Sequence, residues 1–167
     1  IYANKKYKIV FHTKLPVKLG EGGITQNIIQ PIPFQRGIDV IKQHQKTIEK
    51  HNVEKVYAVA TSAIREATNG ADFISKVKVE TGFEITVIDG NQEAEYIYYG
   101  VREAVKMQKE YSLIMDIGGG STEFIIANED HIVWKKSFLL GAARLLEKFK
   151  PSNPILDEEV NEIKKYI

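Results

Sequence analysis

The chain contains no cysteine. That excludes a disulfide scaffold and any chemistry run on a thiolate, and it fits a reducing, cytoplasmic setting. No apolar run is long enough to span a bilayer and no signal peptide is read, so no membrane partner is expected. An excess of charge of one sign is also lacking: 23 Lys and Arg stand against 22 Asp and Glu, a net charge of +1. No global field draws the chain to nucleic acid, and any attraction for a polyanion must be local. There is no internal repeat and no low-complexity tract. His12, His44, His51 and His131 are scattered without metal-ligand spacing, so surface roles are their default. The 167 residues are enough for one sizeable domain with a real core.

What is present is concentrated in one stretch. An apolar run from Leu113 drives into Asp116, and Gly118, Gly119 and Gly120 then bare the backbone. Ser121, Thr122 and Glu123 follow, and a second apolar run begins at once. Three adjacent glycines cost conformational entropy. They suit a turn whose N–H groups must come close to an anion, above all a phosphate. No Gly-Lys-Ser/Thr follows, so this is not a Walker A loop. A strand rather than a helix is expected next, which makes it a poor dinucleotide fingerprint. Asp116 at the strand end is the candidate for holding a divalent metal, with the N–H groups of Gly118 to Thr122 ligating phosphate. The competing reading is a plain hairpin turn with glycines at positive φ.

Periodicity and punctuation predict the remaining elements. Asn4-Lys5-Lys6 reads as a turn between Ile1–Ala3 and a strand from Tyr7 to Leu19, kept to an edge or a bulge by Pro16. Pro31 and Pro33 open a helix to about Asn52, with Phe34, Ile38, Ile41, Gln45 and Ile48 at helical spacing. A buried strand is predicted over Val53–Ala60, a helix over Ala71–Thr81 ending at Gly82, and a strand over Phe83–Ile88. Asn91 to about Lys109 reads as a helix. Strands follow over Tyr111–Asp116, Thr122–Asn128 and His131–Leu139, then a helix from Gly141 to about Phe149. Pro151 to Pro154 is a linker-like break before a last helix. Helix–strand alternation followed by a hairpin meander argues α/β, a mixed sheet flanked by helices.

Two charged residues stand at strand ends. Glu93 falls in the first turn of the helix from Asn91, where a carboxylate complements the dipole and helps cap the helix; spacing alone makes it structural. Arg65 follows the strand end at Val59–Ser62. In open α/β sheets ligands gather there, and an Arg there can clamp a phosphate. Pairing with Glu66 or Asp72 explains it equally well. Thr61 and Ser62 either donate to a phosphate or cap the next turn. Lys135 and Lys136 point to opposite faces of a strand, and Tyr96, Tyr98 and Tyr99 read as packing.

Taken together and in order, these segments resemble the Ppx/GppA family of exopolyphosphatases and guanosine pentaphosphate phosphohydrolases. Pro16–Gly22 looks like the family's early loop, with Lys18 where Arg is usual. Ala60–Ala67 with Asn69 is similar to its Thr-Ser-Ala-x-Arg-x-Ala segment, and Asp89–Ala94 to the segment carrying the catalytic Glu. Asp116–Glu123 matches the second phosphate loop, and Gly141–Arg144 the segment after the following strand.

The resemblance implies an actin-like ATPase (ribonuclease-H-like) domain, here lacking its first strand. It implies that Glu93 activates water, that Arg65 and Gly118, Gly119, Gly120, Ser121 and Thr122 bind phosphate, and that Asp116 helps place Mg²⁺. The substrate would be inorganic polyphosphate or guanosine pentaphosphate. Residues 1–150 are expected to form the first domain, and 151–167 a linker and helix leading to an absent second domain. A homodimer of the parent is left open. The family's first phosphate loop is absent here, Gln92 stands where a second Glu is common, and Glu95 follows Ala94 where Arg is usual. The fragment alone is therefore expected to be inactive, with a non-catalytic phosphate- or nucleotide-binding or regulatory module as the alternative.

Overall fold

A computed structural model describes residues 2–3 and 6–167. Strands β1 (Tyr2–Ala3) and β2 (Lys6–Tyr7) pair antiparallel, with Tyr2 opposite Tyr7. Ile1 and the expected turn residues Asn4 and Lys5 lie outside the described residues. The long strand expected from Tyr7 to Leu19 is not formed: residues 8–18 carry neither helix nor strand. A strand needs a row of partners, and Ile9, Val10 and Phe11 have no such neighbour and stay exposed.

Helix α1 (Pro31–Lys50) starts with prolines in its first turn, where a missing N–H is harmless, and buries Pro33, Gly37 and Ile38. Strand β3 (Ala58–Ala60) leads into the single-turn α2 (Ser62–Arg65) and then α3 (Gly70–Thr81). Helix α3 stops at Gly82, whose φ of +74° suits glycine. Strand β4 (Ile85–Val87) pairs parallel with β3, Ala60 opposite Val87. The strand expected from Val53 shrinks to β3 because β4 offers three partners, and Val53, Val56 and Tyr57 are exposed.

Helix α4 (Gly90–Ala104) follows directly and ends five residues before the predicted Lys109, where Val105 turns extended. Strands β5 (Ser112–Ile117), β6 (Thr122–Ala127) and β7 (Ile132–Phe138) form an antiparallel meander in the predicted order. Helices α5 (Ala142–Phe149) and α6 (Asp157–Tyr166) close the chain on either side of the proline-rich break, with the Phe149 and Tyr166 rings stacked edge to face.

Both strand directions of a mixed α/β protein are present, distributed over separate sheets among the described residues. The β3–β4 pair and the β5–β7 meander each have a core of their own. Ile29, Ile38, Phe73 and Val77 cluster where α1 and α3 cover the parallel pair. Ala94, Tyr98, Met107, Ile125 and Ala127 cluster where α4 covers the meander. The divide between the two cores falls at the β4–α4 junction. Asn69 braces the first core by exchanging two hydrogen bonds of 2.9 Å with the Ile29 backbone. No helix among the described residues is long and apolar enough to cross a membrane.

Candidate active site

Because β3 and β4 run parallel, their carboxyl ends coincide. Thr61–Arg65 leaves one, and Ile88–Glu93 leaves the other. Capping of α4 is carried by Asp89, which accepts from the N–H groups of Asn91 and Gln92 at 2.8 Å, while the Gln92 side chain reaches back to the Asp89 N–H. The capping role considered for Glu93 is thereby taken by its neighbours. Glu93 sits one position further into the helix, its side chain 17% exposed.

Its carboxylate accepts from Arg65 Nη1 at 3.1 Å and from the Thr61 hydroxyl. Burial raises the Glu93 pKa above the usual carboxylate value; Arg65 and Thr61 pull it down, the Glu123 charge pushes it up, and the net shift is upward. Arg65 also gives Nη1 to the Ile88 carbonyl and Nε to Glu66, both at 2.9 Å. Three of its bonds thus serve the protein, and Nη2 has no hydrogen-bond partner among the described residues. Burial works against the Arg65 charge, but its carboxylate partners outweigh that and raise its pKa.

Glu123 comes from the meander. It stands between Asp116 on β5 and Ser137 on β7 in the strand register, is 1% exposed, and accepts the Ser137 hydroxyl at 2.6 Å. A Cβ on Gly90 would fall 2.4 Å from Ser137 Cβ. Only glycine there lets the N-terminus of α4 lie against this row, which carries Glu93 within electrostatic reach of Glu123.

The glycine hairpin joins β5 to β6 and is held by the N-terminal turn of α5, whose Ala142, Ala143, Leu146 and Glu147 line the same cleft. The Gly118 carbonyl accepts from Ala142 N at 2.9 Å, and the Gly119 carbonyl from Ala143 N at 2.9 Å and Arg144 N at 3.2 Å. The Gly120 carbonyl accepts from Arg144 Nε at 3.2 Å. In a trans peptide the N–H of the next residue points opposite to the carbonyl. Three consecutive N–H groups, of Gly119, Gly120 and Ser121, therefore face away from α5, and none has a protein partner among the described residues. Gly118 N is closed off by the Ser121 carbonyl at 2.9 Å, and Thr122 gives its hydroxyl to the Leu140 carbonyl. None of the three glycines has a positive φ, so the plain-turn explanation does not account for them. Close approach does at one end: a Cβ on Gly120 would lie 2.5 Å from Ser62 Oγ.

A cleft of about 780 Å³ separates the two sides. Glu93, Thr61 and Ser62 line it with Gly118 to Ser121, and the loop from Lys18 to Ile24 forms another wall. Arg65 lies behind Glu93, outside the lining. Asp116 is exposed on β5 two residues before the hairpin, with no ion-pair partner among the described residues. Three or more His, Cys, Asp or Glu side chains suited to one metal ion are nowhere grouped among the described residues.

Sequence reasoning gave no role to Glu123, Ser137 or Lys18 of the lining loop. The available signal was the period of two: Glu123, Ile125 and Ala127 share the buried face of β6, which puts a carboxylate on a core-facing position.

A half-buried carboxylate sharing a cleft between two sheets with unpartnered backbone N–H groups is chemically suited to a polar, anionic ligand. The chain belongs to the Ppx/GppA phosphatase family, whose family model matches residues 1–167. It is similar to an exopolyphosphatase from Cytophaga hutchinsonii, with a TM-score of 0.96 and 38% identity, over 99% of this chain and 53% of that one. It is 37% identical over 152 residues to a bifunctional 3-dehydroquinate synthase/phosphatase of Fusobacterium nucleatum, covering 89% of this chain and 23% of that protein. It is 33% identical over 136 residues to a guanosine-5'-triphosphate,3'-diphosphate pyrophosphatase of Photobacterium profundum, covering 81% and 27%. The chain thus spans about a quarter of these curated relatives and about half of the solved structure. The fold is the actin-like ATPase fold of the family.

Proposed function

We propose that this chain carries the catalytic base and one phosphate loop of a phosphohydrolase. Its parent would release the terminal phosphate of inorganic polyphosphate or guanosine pentaphosphate. The observation that supports this most is the shared cleft, which Glu93 lines together with Gly119, Gly120 and Ser121, whose N–H groups have no partner among the described residues.

In this reading a water oxygen attacks the terminal phosphorus while Glu93 takes the water proton. The bridging P–O bond breaks, and its electron pair leaves with the rest of the chain or nucleotide. Burial and Glu123 make Glu93 more basic than an ordinary carboxylate, and Arg65 with Thr61 fixes where its oxygens point. The hairpin N–H groups bear the charge of the phosphoryl oxygens. Arg65 would add to phosphate binding through Nη2 alone. Asp116 is a hard oxygen donor of the kind Mg²⁺ takes singly or in pairs alongside substrate phosphates, so a three-ligand cluster is not required. Mg²⁺ held there would neutralise phosphate charge.

The test is phosphate release by the full-length protein and its Glu93→Gln variant. Loss of roughly 100-fold or more is expected for a general base; equal rates would sink the assignment. A binding-only module is the second reading, favoured by the Arg65–Glu93 ion pair, which already satisfies the carboxylate. Phosphate binding without release by the full-length protein would establish it.

A further inference from the structure

Helix α5 takes up the hairpin carbonyls, but its backbone runs out of donors. Ala142, Ala143 and Arg144 N–H groups serve Gly118 and Gly119, and Leu145 N already bonds back to Gly141 within the helix at 3.0 Å. The third carbonyl, Gly120, needs a side chain, and Arg144 Nε supplies it. The same guanidinium gives Nη1 to the Ile24 carbonyl at 2.9 Å, on the loop lining the opposite wall. Two buried side-chain polar atoms lack a partner among the described residues, Arg144 Nη2 and Ser62 Oγ. Both belong to side chains set against Gly120. Leaving such donors unpaired is costly in a closed interior.

We infer that Arg144 is the positioning residue of the proposed phosphate loop: by holding the Gly120 carbonyl it orients the Ser121 N–H for the anion, and it places a half-buried positive charge beside that peptide. This rests on the phosphate-loop reading above. The planar fork spans two carbonyls on separate segments; a lysine nitrogen is a single point and cannot hold both in place.

The test uses the full-length protein, inorganic phosphate as probe, and the amide ¹⁵N–¹H signals of Gly119, Gly120 and Ser121. Arg144→Lys and Arg144→Gln should each weaken phosphate binding about tenfold, the worth of one charge-assisted hydrogen bond. The Ser121 signal should show the largest loss of response, KM should rise more than kcat falls, and Lys should not rescue. Thr25→Val, which removes a different cross-cleft bond, to Glu147 at 2.5 Å, should bind phosphate like wild type. Wild-type phosphate affinity and Ser121 response in Arg144→Lys would overturn the inference, as would an equal loss in Thr25→Val. Wild-type protein without any phosphate response at Gly119 to Ser121 would instead overturn the loop reading itself. Thermal midpoints of all variants separate unfolding from misplacement.

Discussion

The two walls of the cleft are built by opposite means. On the parallel side an ionisable side chain, Glu93, lines the cleft and other side chains hold it: Arg65 and Thr61 grip its carboxylate, and Asp89 with Gln92 caps its helix. On the antiparallel side the hairpin backbone lines the cleft, and α5, which lines it too, holds the hairpin carbonyls. The first wall carries a proton acceptor whose basicity is set by its surroundings. The second carries fixed dipoles that do not titrate. A substitution on the first wall should therefore change chemistry and pH dependence, and one on the second should change binding and stability.

The largest effect should come from the first wall. Glu93→Gln keeps shape and hydrogen bonding but removes the base, so phosphate release should fall roughly 100-fold or more with phosphate binding retained. A parallel loss of phosphate binding would erase the division between the walls.

On the second wall, Gly141→Ala should come next. Its Cβ would fall 2.4 Å from the backbone of Gly119, which no side-chain movement relieves. Overpacking of this kind costs about 1–3 kcal/mol. It should lower the thermal midpoint and weaken phosphate binding, with little change in the pH profile.

Glu123→Gln sharpens the comparison from between the walls. Glu93 must be ionised to act as base, so activity falls as pH drops through its raised pKa. Removing the Glu123 charge removes one cause of that rise. The acidic limb of kcat/KM should move to lower pH, while Gln retains an oxygen for the Ser137 hydroxyl. An unmoved limb would mean that Glu123 does not tune Glu93.

The smallest effect is expected at Gly119→Ala. The nearest atom to a new Cβ is Ala143 Cβ at 3.7 Å, an ordinary contact, and the backbone is not in the left-handed region. Stability and phosphate affinity should stay near wild type. A large loss would mean that the anion itself approaches the space above Gly119.

Much of the fold was legible in the sequence. Helices α1, α3 and α5 and the three meander strands lie within a few residues of their predicted bounds. Each has strong apolar periodicity or a glycine or proline stop. The strand from Tyr7 and the front half of the strand from Val53 were misread. Their apolar runs look like strands, but a strand exists only where another supplies its hydrogen bonds, and partner supply is not a local property.

By itself the sequence determined the glycine hairpin, the strand ends that bring Thr61, Arg65 and Glu93 forward, and the family to which the chain belongs. These rest on local spacing, which a linear chain records. Only the tertiary structure decided what each candidate touches. It set Arg65 behind Glu93, put the capping of α4 on Asp89 and Gln92, and brought Glu123 within electrostatic reach of Glu93. It also showed that α5, some twenty residues downstream, takes up the hairpin carbonyls and leaves three hairpin N–H groups without a partner among the described residues. The physical reason is the range of the interactions. Turns and helix ends are settled by neighbours in sequence, whereas burial, charge coupling and the direction of a peptide dipole depend on groups that meet only when the two sheets face each other.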